Sequence, residues 1–169
     1  TYLYNNQENA TTTNVYGTPT PANATGDITW SSSDSNLASV DKTSGAVTAN
    51  TAGRSGTVTI TGTITNNDGT TKTGSVDIKV GGGLDDQTVN SGKTATFSIQ
   101  GTFAATPKSV VWYKKAAGSS TATQVASGTS LTYTTPATTS ADNKAQYYAK
   151  ITIASDSNTK TITTNTATL

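Results

Sequence analysis

"TVTITGTITNNDGTTKTGSVDIKV", residues 57–80, decides the fold. Val58, Ile60 and Ile64 fall on one side of an alternating run and threonines on the other. Period two is the mark of a half-buried strand, because successive side chains point to opposite faces. Val76, Ile78 and Val80 repeat the pattern. Between the runs stands Asn66-Asn67-Asp68-Gly69, whose Asp-Gly pair tolerates the positive φ of a tight hairpin turn. Residues 57–80 therefore predict a β-hairpin with its aliphatic face toward a core.

Outward from this hairpin the same periodicity continues and helical spacing is missing. Ala95, Phe97 and Ile99 form one run, Val110 and Trp112 another, Leu131 and Tyr133 a third. Tyr147, Ala149, Ile151 and Ile153 make a longer strand, and Ile162 and Thr164 lie in the last, after a turn at Ser155-Asp156-Ser157-Asn158. Short strands punctuated by turns predict an all-β chain of two tandem sandwiches. Gly81-Gly82-Gly83 has no side chain to pack and maximal backbone freedom, which places the junction there, with domains at 1–82 and 83–169. Domains of this size lie at the lower end for an independent core.

Composition narrows the function. The 11 basic and 10 acidic residues leave a net charge of +1, and Lys114-Lys115 is the only adjacent basic pair, unlike a nucleic-acid binder. No apolar run approaches a membrane span. The chain lacks His and Cys, and Glu8 is its only glutamate. Zinc, iron and copper sites draw on His and Cys, so no metal or other cofactor is expected. Imidazole-based acid/base and nucleophile pairs are excluded outright, so no enzyme is expected. Lack of Cys fits an exported protein of a Gram-positive bacterium as well as a cytosolic one. Roughly a quarter of the residues are threonine. Thr combines β propensity with a hydroxyl toward water, and the alternation distinguishes a folded sheet from a low-complexity stalk.

A longer pattern surrounds the first hairpin. Trp30-Ser31-Ser32, Asp34, Ala38-Ser39-Val40-Asp41, Gly45-Ala46-Val47-Thr48-Ala49, Ala52-Gly53 and the run from Gly56 to Thr63 follow a Pro-rich lead-in. In order and spacing, residues 21–63 resemble the bacterial immunoglobulin-like domain, group 2, of adhesins, surface-layer proteins and phage virion proteins. Arg54-Ser55 departs from that pattern by lengthening the segment after Ala-Gly. The resemblance implies that Trp30 anchors a core. Ser31 to Asp34 then reads as a strand-end corner rather than a reactive loop, since no base exists to activate a serine.

The second half resembles an immunoglobulin-like domain without its disulfide. Gly92 to Ile99 follows the second-strand pattern, with Ile99 where a first cysteine would stand. Trp112 takes the buried tryptophan position, and Leu131-Thr132-Tyr133 the fifth strand. Asn143-Lys144-Ala145-Gln146-Tyr147-Tyr148-Ala149 follows the segment around the second cysteine, with Ala149 in its place. This implies that the Tyr147 hydroxyl bonds backbone upstream, and that Ile99 and Ala149 meet as an apolar pair. Without the crosslink the domain should be less stable by about 2–5 kcal/mol.

Four constellations could carry chemistry. Asp85-Asp86 could hold a calcium ion at the junction, although the spacing that normally surrounds Ca²⁺ with oxygens is missing. Lys93 or Lys150 with Asn143 or Asn165, and Asp77, are ingredients for an internal isopeptide bond. Asn9-Ala10-Thr11 and Asn23-Ala24-Thr25 match the glycosylation sequon, as Thr-rich chains do by chance. Tyr148 alternates away from Tyr147 and should face outward, where a tyrosine can stack on a sugar.

These readings predict a non-catalytic extracellular module of a bacterial cell-surface protein, serving adhesion, as a spacer or in a surface layer. Its expected partners are host or cell-wall protein or glycan, or neighbouring domains of the same protein. Nucleic acid and direct membrane insertion are not expected. The alternatives are a decoration module of a phage tail or capsid and a carbohydrate-binding appendage of a secreted enzyme.

Overall fold

The computed structural model describes residues 1–5, 11–19, 26–155 and 158–169. Both sequons and the turn at 156–157 lie wholly or partly outside the described residues. In the first half the strands are β1 (Tyr2–Tyr4), β2 (Thr12–Asn14), β3 (Ile28–Ser32), β4 (Ala38–Val40), β5 (Ala46–Ala49), β6 (Gly56–Thr65) and β7 (Thr71–Gly81). One sheet has the order β1-β7-β6-β3, the other β2-β5-β4. Leu3, Trp30, Leu37, Ala38, Val47, Ala49, Val58, Ile60, Ile78 and Val80 form the core between them.

The predicted hairpin is β6 and β7, in register from Gly56 opposite Val80 to Thr65 opposite Thr71. Its turn is wider than a two-residue loop. Asn66 N–H donates to the Thr70 carbonyl, Gly69 N–H to that of Asn66, and Asp68 accepts from both Thr70 N–H and its hydroxyl. Of the Asp-Gly pair only Gly69 takes positive φ. Val58, Ile60, Ile78 and Val80 are buried as expected, but Val76 is 42% exposed on the same face. The facing sheet is made of three- and four-residue strands and cannot cover ten- and eleven-residue ones along their whole length. Gly62, which interrupts the aliphatic series between Ile60 and Ile64, stands opposite Trp30 in the β3–β6 ladder. A Cβ there would lie 2.7 Å from the indole ring, so the glycine makes room for the core tryptophan.

In the second half the strands are β8 (Thr96–Ser98), β9 (Pro107–Lys115), β10 (Ala122–Gly128), β11 (Thr132–Thr134), β12 (Gln146–Ser155), β13 (Asn158–Thr163) and β14 (Ala167–Thr168). A five-stranded sheet, β10-β9-β12-β13 with β14 also on β12, faces the β11-β8 pair. The short strands β1, β2 and β14 carry too few alternations to be legible in the sequence. Trp112 and Tyr147 are 2% exposed and Phe97 fully buried. Phe97 stacks on Tyr147 at 4.5 Å and Trp112 on Tyr133 at 5.8 Å, while the indole N–H reaches the Ser130 carbonyl at 3.2 Å. Ile99 and Ala149 both belong to this core. The chain is all-β, in two immunoglobulin-like sandwiches, with no α-helix among the described residues.

Tyr147 differs from expectation. The Lys114 side chain, on β9 directly opposite in the ladder, lies against its ring with the ammonium 5.9 Å from the centroid, and burial raises the phenol pKa. Lys114 is ion-paired with Asp142, which also accepts from the N–H and hydroxyl of Thr139 across a one-turn 3-10 helix. The Lys114 hydrogen bond and then the Thr139 N–H lower the Asp142 pKa from 3.8 to about 2. A carboxyl whose folded pKa lies below its unfolded value stabilises the fold above the unfolded pKa, and that stability is lost as pH falls through the folded one. Chemical denaturation between pH 5 and pH 2 is therefore expected to show a decline starting near pH 4 (about pH 4 to 2). Asp142→Asn should flatten that decline by about 1–2 kcal/mol; an unchanged slope would show that the pair contributes nothing.

Candidate functional site

Two places join sequence features to a distinctive geometry: the junction around residues 81–84, and the outer face of the five-stranded sheet. The junction is not the mobile tether that three glycines suggested. Gly81, Gly82, Gly83 and Leu84 are all buried. Gly82 N–H donates to the Gln100 carbonyl at 2.9 Å and Gln100 N–H to that of Gly83 at 2.8 Å, so the passing chain is bridged to the second half. The glycines serve close approach. A Cβ on Gly81 would lie 2.9 Å from the Thr102 carbonyl oxygen, and one on Gly83 only 1.8 Å from that of Gly53.

Side chains from distant parts of the sequence lock this crossing. Asn5 is fully buried; its N–H donates to the Gly81 carbonyl, and its amide Nδ2 to the Asn50 carbonyl at 2.8 Å. Asn165, near the other end of the chain, clamps Leu84 twice. Its Oδ1 accepts Leu84 N–H at 2.7 Å, and its Nδ2 donates to the Leu84 carbonyl at 2.9 Å. Gly53, at φ +84°, passes so close that a Cβ would stand 2.6 Å from both Asn165 Nδ2 and the Leu84 oxygen. Tyr4 belongs to β1 but is buried in the second core. It stacks on Phe103 at 5.4 Å, and its oxygen accepts the Ala104 N–H at 2.9 Å. Burial raises its phenol pKa.

Sequence reading missed Tyr4, Asn5, Gly53 and Asn165 as junction residues. One signal was available: the Arg54-Ser55 departure from the family pattern. The Arg54 carbonyl accepts from the side chains of Asn50 and Asn5, and Ser55 approaches Gly101 of the second half. The irregular segment is thus where the halves touch.

The other candidates disperse. Ser32 Oγ donates to the Ala38 carbonyl, Ser33 N–H to that of Thr59, and Asp34 accepts from Asn36 N–H, so this stretch is a corner held by its own bonds. Asp86 accepts the Thr168 N–H at 2.6 Å, and no group of three or more metal-ligating side chains occurs among the described residues. The isopeptide ingredients are not assembled. Asn165 is engaged with Leu84, Asp77 accepts from Thr59, Lys150 lies over the Tyr113 ring, and Asn143 and Lys93 make backbone bonds in separate turns. A cleft of about 850 Å³ in the first half runs past Tyr16, Pro19, Trp30, Ile64 and Val76. Pro19 is the last described residue before 26.

On the outer face Tyr148 does point away from Tyr147, but it is only 8% exposed. One side of its ring stacks on Tyr113 at 5.1 Å, and the Lys115 ammonium lies 5.4 Å from its centroid. Lys150 lies 5.9 Å from the Tyr113 ring. The ring is thus engaged by its own neighbours and is not a platform for stacking a sugar.

Residues 4–79 match the family described as bacterial Ig-like domain (group 2), as the pattern around Trp30 implied. The match covers somewhat less than half of the chain. No curated protein matches it. Among solved structures the chain is similar to domains from titin, at 12% identity over 98% of this chain and 59% of that one, with a TM-score of 0.35. It is also similar to the fibronectin(III)-like modules of Clostridium thermocellum CbhA, at 9% identity over 99% and 88%, with a TM-score of 0.32. A third is a Bacteroides ovatus protein of a mixed-linkage glucan utilization locus, in complex with a mixed-linkage heptasaccharide. There the identity is 14% over 99% and 42%, with a TM-score of 0.30.

Proposed function

We propose, from a first half matched to a bacterial immunoglobulin-like family, that the chain is a non-catalytic module of a bacterial cell-surface protein. It acts as a stiff spacer that carries an adhesive or enzymatic neighbour at a fixed distance and angle. The division is at 1–82 and 83–169, with the glycine crossing as its seam. One observation carries this reading: the seam is buried and bonded from both ends of the chain, through Asn5 and Asn165. A tether needs exposed, weakly bonded backbone; a spacer that transmits orientation needs the reverse. Threonine-rich outer strands suit the same role, since they keep sheets hydrated without accumulating charge.

The location has a direct test. An antibody raised against the chain should label intact cells of the source bacterium. Labelling only after lysis would overturn the surface assignment.

A further inference from the structure

The five-stranded sheet of the second half has an unbalanced charge. Its strands contain Lys108, Lys114, Lys115, Lys150 and Lys160 and no aspartate or glutamate. Of these lysines only Lys114 has an ion-pair partner among the described residues.

Register places two of the others together. Gln146 lies opposite Lys115, Tyr148 opposite Tyr113, and Lys150 opposite Val111, all on the side away from the core. The close diagonals of an antiparallel pair let long side chains reach the next row. The result is a ladder that crosses back and forth between β9 and β12: Lys115 over Tyr148, Tyr148 on Tyr113, Tyr113 under Lys150. The two ammoniums thus lie 5.4 and 5.9 Å from the ring centroids of a stacked tyrosine pair whose interplanar angle is 11°. Lysine on an open surface spends most of its free energy of binding on ordering its own chain. Here the aromatic faces hold both ammoniums by cation–π attraction before any ligand arrives. Around them stand neutral hydrogen-bonding groups, Gln124 opposite Tyr113 and Gln146 opposite Lys115, both exposed.

We infer that this outer face is a docking surface for an acidic polysaccharide, a glycan chain bearing carboxylates. Two fixed, uncompensated positive charges select a polymer with single negative charges spaced along it. The amides on either side suit sugar hydroxyls. The absence of carboxylates from the strands removes the repulsion that would oppose such a chain. The tyrosines position the charges and do not stack on the sugar, since they pack on each other and Tyr148 is almost fully buried. The inference deepens the surface-module reading by giving it a partner. Its test uses the purified chain, so failure here would leave the location test untouched.

The test is affinity electrophoresis and titration with polygalacturonate at low ionic strength, with dextran as the uncharged polymer and an oligothymidylate as the phosphate polymer. Binding to polygalacturonate is expected, none to dextran, and weaker binding to the oligothymidylate. Added salt should weaken it, as exposed charge pairs are screened beyond about 10 Å at 0.1 M. Lys115→Gln and Lys150→Gln should each weaken binding about three- to fivefold. The double variant should lose more, and Lys115→Arg/Lys150→Arg should retain binding. Lys42→Gln, on an exposed turn of the first half, should change nothing. Unchanged thermal unfolding of the glutamine variants would show that the fold is intact. No binding to polygalacturonate, equal binding by the double glutamine variant, or tighter binding of the oligothymidylate would each overturn the inference.

Discussion

Gly83→Ala is expected to destabilise the chain by about 3 kcal/mol and to uncouple its two halves. The added methyl would lie 1.8 Å from the Gly53 carbonyl oxygen and 2.9 Å from Asn5 Oδ1. The first is backbone and cannot rotate aside, so the segment around Gly53 has to move. Moving it disturbs Leu84 and Asn165, against which Gly53 is packed, and the bonds that the Asn5 amide donates to the Asn50 and Arg54 carbonyls. Urea unfolding should change from one transition to two, or shift its midpoint down with a shallower slope. Gly74→Ala is the control. That glycine has nothing within 4 Å and no positive φ, so alanine there should cost nothing and gain up to about 1 kcal/mol. Equal effects of the two substitutions would show that the close approach at the seam is unimportant.

Trp112→Ala should have the largest effect of any single core truncation, about 3–5 kcal/mol. The indole is almost fully enclosed, stacks on Tyr133 and donates its N–H to Ser130. Removing it leaves a cavity and a carbonyl without its donor. Against the 5–15 kcal/mol typical of a domain, this is enough to unfold the second half under mild denaturant. Trp30, in the separate core of the first half, then becomes the only indole and reports that half alone. Its emission should stay blue-shifted while far-ultraviolet dichroism shows partial loss of sheet. If Trp112→Ala unfolds with the wild-type midpoint, the packing described for the second core is wrong.

The sequence conveyed architecture better than assembly, for a physical reason. A strand such as 57–64 writes its environment into every second residue, and both core tryptophans are large enough that burial is their only economical placement. Short strands such as β1 leave no period to read, and Tyr4 has the same letter whether it packs in its own sandwich or in the next. The seam was the larger miss. Glycine serves free backbone and close approach alike, and local composition cannot tell the two apart. The partners that decide the matter, Asn5, Gly53 and Asn165, come from three remote segments and follow no spacing rule. Tyr148 was placed on the correct face by alternation. Its concealment depends on Tyr113 and Lys115 across the ladder, a register that pattern alone does not fix.

A stiff spacer requires the two sandwiches to move as one body through the buried seam. Residual dipolar couplings for backbone amides in both halves of the weakly aligned chain measure this directly. A single alignment tensor, fitting β6 and β7 together with β9 and β12, is the predicted result. Two tensors of different magnitude would mean that the halves reorient independently, and would contradict it.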